Sequence, residues 1–134
     1  MLTFGFVWQH VHYGTWPDWA PEGSSTLEAL RNITKFSFLA LAYNLEMQRL
    51  RGGPLVHELL HNFNEKASSV MDKRRKFFMY SGHDTTLAVL MNTIGVYDPH
   101  ELPPYASVLI LELWEQENEI NSTYNVKVTP RNQN

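Results

Sequence analysis

The chain has no cysteine among its 134 residues, which excludes disulfide staples and thiol nucleophiles from its chemistry. It also lacks a basic surplus. Lys and Arg total 11 against 14 Asp and Glu, a formal charge of −3, so no electrostatic footprint points to nucleic acid or an anionic membrane. No apolar run approaches the roughly 20 residues that a spanning helix requires. The opening Met1 to Trp8 has neither the basic start nor the apolar stretch of a secretory signal. Two glycan acceptor motifs, at Asn32 and Asn121, have meaning in a secreted chain. The two observations agree if the natural N-terminus lies upstream of Met1, and that is the expectation carried forward.

Apolar residues make up 43% of the sequence and aromatics 13%, enough to build one globular domain. The opening stretch is irregular and aromatic, with Trp8, Tyr13, Trp16 and Trp19 interleaved with Pro17, Pro21 and Gly23. Ser25-Thr26-Leu27-Glu28 reads as a capping box starting a helix that runs to Gly52-Gly53. Leu27, Leu30, Thr34, Ser37, Phe38, Leu41 and Leu45 share one stripe, and Asn32 lies on the far side. Phe36 and Leu39 also lie opposite that stripe, so this helix calls for cover on two sides.

Pro54 after Gly53 opens a second helix whose core face is Val56, Leu59, Leu60, Phe63, Ala67 and Val70. The run Phe77-Phe78-Met79-Tyr80 reads as a buried strand. Asp84 is then the N-cap of a third helix with Leu87, Leu90, Met91 and Ile94 inward and Gly95 ending it. Val108 to Trp114 reads as a strand, and the alternating Tyr124, Val126 and Val128 as its hairpin partner. The expected class is therefore α/β: mainly helical residues 1–71, followed by a sheet region at 72–134 that carries a His-Asp motif.

His83 and Asp84 sit where the expected strand gives way to a helix, a place at which open α/β sheets hold ligands. Free backbone N–H groups favour an anion there. A phosphate near His83 can accept its hydrogen bond, and a neutral Asp84 carboxyl can protonate a departing alkoxide. From the dipeptide alone, a plain helix cap at Asp84 and a turn residue at His83 is by far the commoner meaning.

The runs Leu50-Arg51-Gly52-Gly53-Pro54-Leu55-Val56, Met79 to Thr86 and Leu102-Pro103-Pro104-Tyr105-Ala106-Ser107, with Trp16-Pro17-Asp18-Trp19-Ala20 ahead of them, together resemble the histidine acid phosphatase family. The resemblance implies the C-terminal portion of a histidine-phosphatase fold, with helical insert segments, then strand and helix, then a C-terminal hairpin of a mixed sheet. It implies a phosphate-monoester substrate, no cofactor and no metal, and a lysosomal or secreted setting for the parent family. It assigns His83 to phosphate binding and Asp84 to proton donation, with Thr85 and Thr86 supporting the turn. In that family a histidine within Arg-His-Gly-X-Arg-X-Pro attacks phosphorus to give a phosphohistidine. No Arg-His-Gly triplet occurs in this sequence, so the chain by itself is expected to be an inactive fragment. A non-catalytic phosphate-binding module is the alternative.

A second motif competes. His57-Glu58-Leu59-Leu60-His61 matches the zinc-peptidase pattern of two histidines one helical turn apart with a glutamate between them. On a helix centred on Val56, Leu60 and Phe63, however, these three residues fall on the solvent side. The metzincin extension would also need Gly at Asn64 and His at Ala67. His10, His12 and His100 read as turn or surface residues.

Overall fold

The computed structural model describes residues 10, 12–117 and 122–131. The elements, in order, are α1 (Ser25–Ala40), α2 (Leu45–Arg51), α3 (Gly53–Ala67), α4 (Asp84–Thr93), β1 (Val108–Glu117) and β2 (Ser122–Arg131). Helices and an antiparallel pair of strands together make the mixed α/β composition expected.

The first helix starts one residue earlier in its cap than the sequence pattern indicates. Ser24, in an extended conformation, is the N-cap, and its hydroxyl accepts from the Leu27 N–H at 3.2 Å. Ser25 is already helical. Leu27, Thr34 and Phe38 are buried on one face, Asn32 is exposed on the other, and Phe36 is 61% exposed.

The expected single helix to Gly52 is in fact two. Asn44 adopts an extended backbone and caps a fresh start, its side-chain Oδ1 accepting from Met47 N–H at 2.9 Å. Asn competes for backbone N–H groups in this way wherever a chain can turn. Leu45, assigned to the buried stripe, is consequently 62% exposed.

α4 is the hub, touching α1, α2 and α3. Gln48 of α2 donates to the Asn92 side chain of α4 at 3.2 Å and also to the Ala42 carbonyl. Gly52, buried between α2 and α3, lies against Thr93 so closely that a Cβ there would collide with the threonine side chain. α4 ends as the sequence indicates: Gly95 takes φ 78°, and Val96 N–H reaches back to the Met91 carbonyl at 2.8 Å, closing a Schellman turn. α3 packs along its side toward α2 and α4. Leu60 and Val70, expected in its core face, are 52% and 74% exposed because no described element covers that side.

Residues 75–83 have no regular secondary structure. The apolar tetrapeptide Phe77 to Tyr80 is therefore not the strand expected. A strand exists by pairing, and among the described residues no backbone-to-backbone hydrogen bond reaches residues 76–82. Exposure still alternates: Phe77 and Met79 are 79% and 82% exposed, whereas Phe78 is half-buried beneath the Arg75 guanidinium. Tyr80 reaches α3, donating to Glu58 Oε1 at 3.1 Å and accepting from Asn62 Nδ2 at 2.9 Å.

The hairpin is found where the sequence puts it, antiparallel from Val108↔Arg131 to Glu117↔Ser122. Directly opposed side chains complement one another, Lys127 with Glu112 at 3.7 Å and Tyr124 with Glu115 at 2.9 Å. The apolar run of β1, Val108 to Trp114, suits an interior strand, yet Val108 and Trp114 are 52% and 55% exposed, since a two-stranded sheet has no second layer over that face among the described residues.

Candidate active site

The turn entering α4 is built from Gly82 onward. His83, at φ −85° and ψ 167°, is the N-cap, and its backbone N–H donates to Thr86 Oγ1 at 3.2 Å. A hydroxyl three residues into the helix reaching back to the cap N–H is half of a capping box. The sequence pattern places Asp84 at the cap. In the structure Asp84 is instead the first helical residue, and its Oδ1 accepts from the Thr85 N–H at 2.6 Å. The one-residue shift follows from Thr86, whose hydroxyl finds its partner at position 83 and so fixes where the helix begins.

Gly82 makes the turn fit. A Cβ there would lie 3.1 Å from both Cβ and Cγ2 of Thr86, tighter than ordinary contact, so a residue without a side chain lets Thr86 fold over the turn. Thr85 and Thr86 thus support the backbone, as expected.

Beside this turn opens a cleft of about 590 Å³. His83 and Asp84 meet there with the α1 residues Arg31 and Lys35 and with the loop 102–107. His83 is exposed and Asp84 half-buried. The apolar wall comes from Phe38, Leu87, Leu102 and Pro103. In the loop, Ala106 takes φ 57° while Ser107 donates through its hydroxyl to the Pro104 carbonyl at 2.6 Å. That left-handed residue costs roughly 1 kcal/mol, held by a turn that presents Tyr105 at the cleft, 72% exposed.

Of the polar residues lining this cleft, His83 and Asp84 are the two singled out in the sequence, whereas Arg31 and Lys35, some fifty residues away, were not. A signal was present. Both flank the buried stripe of α1 at the spacing of successive turns, where a cation sits at the rim of whatever that stripe packs against.

The zinc-peptidase motif lies on the exposed surface of α3. His57, Glu58 and His61 are all exposed. His61 faces Glu65 at 3.3 Å and Glu58 is engaged by Tyr80. Among the described residues no group of three potential metal-ligating side chains is gathered. His10 stacks on Trp16 with ring centroids 4.4 Å apart, and His100 lies exposed in a turn capped by Asp98. Of the two glycan acceptors, Asn121 lies outside the described residues. No described helix is long and apolar enough to cross a membrane.

The sequence has a counterpart among known families. A family model described as histidine phosphatase superfamily (branch 2) matches residues 8–130, and the chain belongs to that superfamily. It is 41% identical over 113 residues to prostatic acid phosphatase of Bos taurus, covering 81% of this chain and 28% of that protein. It is 39% identical over 106 residues to putative acid phosphatase 5 of Caenorhabditis elegans, covering 78% and 24%. Lysosomal acid phosphatase of Rattus norvegicus is 34% identical over 128 residues, covering 87% and 29%. The chain thus spans less than a third of the length of these relatives. No solved structure matches it.

Proposed function

We propose that this chain provides the proton-donating side of a phosphate-monoester hydrolase site, acting in the manner of the acid phosphatases it resembles. His83 hydrogen-bonds the phosphate, whose negative charge is further favoured by the positive end of the α4 dipole. Asp84, in its neutral form, passes its proton to the ester oxygen as the phosphorus–oxygen bond breaks, so the leaving group departs as an alcohol rather than an alkoxide. Activity of this kind is favoured at acid pH, which suits a lysosomal or secreted setting.

The observation that carries this reading is the convergence of His83 and Asp84 on one cleft at a helix N-terminus. The attacking group comes, in the family, from the Arg-His-Gly segment, and that triplet is absent from this sequence. Proton donation contributes about 10² to 10⁴-fold and acts only while phosphorus is being attacked. Alone, the chain therefore binds phosphate without turning it over. Joined in one polypeptide to a family segment bearing Arg-His-Gly, it completes a phosphohistidine-forming hydrolase.

Two measurements test this. Titration with inorganic phosphate, watched at the His83 ring protons, should shift them saturably. The 134-residue chain, freed of contaminating phosphatase, should leave p-nitrophenyl phosphate intact. Hydrolysis that disappears on Asp84→Asn would refute the fragment reading and require a nucleophile within the chain.

A further inference from the structure

The cleft beside the His83 turn holds more positive charge than one phosphate-facing histidine needs. Arg31 and Lys35 line it from α1, and among the described residues Asp84 is the one carboxylate lining it. Neither cation belongs to an ion pair among the described residues, where the pairs are His61 with Glu65, Arg74 with Asp72 and Lys127 with Glu112. One helical turn apart, their Cβ atoms are roughly 5–6 Å from each other, close enough to share one anionic group. The Arg31 guanidinium lies 5.8 Å from the centroid of the Trp16 ring, a cation–π contact that limits where its head can go. When Asp84 is neutral, as proton donation requires, the two cations are left without an opposing charge on the cleft wall.

We propose that Arg31 and Lys35 form a second anion-binding locus, selecting phosphomonoesters whose leaving portion carries an additional acidic group, a carboxylate or a second phosphate, on an apolar body. This rests on the reading of the His83 turn as the site of the reacting phosphate. The apolar body lies against Phe38, Leu87, Leu102 and Pro103, which line the same cleft. Charge-assisted hydrogen bonds from a guanidinium and an ammonium hold the distal anion. The cation pair takes no part in bond breaking, so it shows itself as affinity and selectivity.

The test is an NMR titration of the 134-residue chain with phenyl phosphate, 4-carboxyphenyl phosphate and 1,4-phenylene bisphosphate, followed at the His83 ring and at the Arg31 and Lys35 side-chain heads. Both substituted probes should bind about fivefold more tightly than phenyl phosphate, the upper range for a solvent-accessible ion pair, and the comparison between them separates carboxylate from phosphate preference. Lys35→Gln and Arg31→Gln should each remove most of that difference. Because Arg31 also rests on Trp16, Lys35→Gln is the variant that separates charge from packing. Equal affinity for all three probes, or an advantage that survives in both variants, overturns the proposal. Movement at Arg31 and Lys35 with none at His83 leaves the cation locus standing and sinks the phosphate turn. Movement at His83 without discrimination between probes does the reverse, and silence at all three residues removes both.

Discussion

Replacing Gly52 with alanine sets two opposed effects against each other. Gly52 has φ −91° and ψ −30°, a conformation alanine adopts readily, so the loss of backbone freedom in the unfolded chain alone would stabilise by about 0.4–1 kcal/mol. Against this, the new methyl would collide with Oγ1 of Thr93 and stand 2.8 Å from its Cβ. Thr93 has little room to yield, since its hydroxyl is tied to the Val89 carbonyl at 2.7 Å and its β-branch restricts rotation within the helix. Gly52 is equally constrained, as its N–H donates to Gln48 and its carbonyl accepts from Val56 at 2.9 and 3.0 Å. Overpacking at such a site costs about 1–3 kcal/mol, so the clash should win and Gly52→Ala should destabilise by about 1–2 kcal/mol. Urea unfolding followed by circular dichroism should show a lower midpoint at unchanged slope. Thr93→Ala removes the hydroxyl and methyl from the collision, so the double variant should recover about 1 kcal/mol relative to additivity. A Gly52→Ala protein as stable as the parent, or one that Thr93→Ala does not rescue, would show that α2, α3 and α4 do not meet as described.

Three further outcomes are expected. Ser24→Ala should cost about 1 kcal/mol by leaving the Leu27 N–H uncapped, read from the same unfolding curve, whereas Ser25→Ala should be close to neutral. Partial desolvation of the phenol, followed by its hydrogen bond to the Glu58 carboxylate, holds Tyr80 above the ordinary phenol range. The tie to α3 is therefore intact below about pH 10 and lost as pH rises through the folded-state value, and Glu58→Gln should lower that value in an ultraviolet titration referenced to Tyr80→Phe. Lys66 donates to the carbonyls of Asp72, Lys73 and Arg75 at 3.4, 3.1 and 2.9 Å, so Lys66→Met should accelerate proteolytic nicking at residues 72–76 while leaving helix content unchanged.

Local chemistry made much of this legible in the sequence. Pro54 after a glycine, Gly95 after an apolar helix and the alternation of Tyr124, Val126 and Val128 each act through their own backbone, and each element lies where they put it. Boundaries governed by a single side chain slipped instead. Asn44 splits a helix that periodicity alone would continue, and Thr86 moves a cap from Asp84 to His83. The larger departure is Phe77 to Tyr80, whose apolar pattern describes a strand's surroundings rather than its backbone, and those surroundings are not formed by the described residues. In the candidate site, His83 and Asp84 were readable as adjacent residues with a known resemblance. Arg31 and Lys35 were not, because the contact between α1 and α4 that brings them to the cleft is a tertiary event.

The unpaired tetrapeptide has a consequence for how the isolated chain behaves in solution. Aromatic and apolar side chains with unclaimed backbone donors and acceptors are a template for pairing between molecules. Immediately before them stands Lys73-Arg74-Arg75-Lys76, and stacking two copies in register would bring these four cations against their equals. Arg74 is partly neutralised by Asp72 at 2.9 Å, which leaves the other three to supply most of the repulsion. Such a charge guard acts across a distance that salt shortens, from about 30 Å at 0.01 M to about 8 Å at physiological ionic strength. The chain should accordingly stay dispersed in dilute buffer and precipitate as salt is added, the opposite of the salting-in that surface charge usually confers.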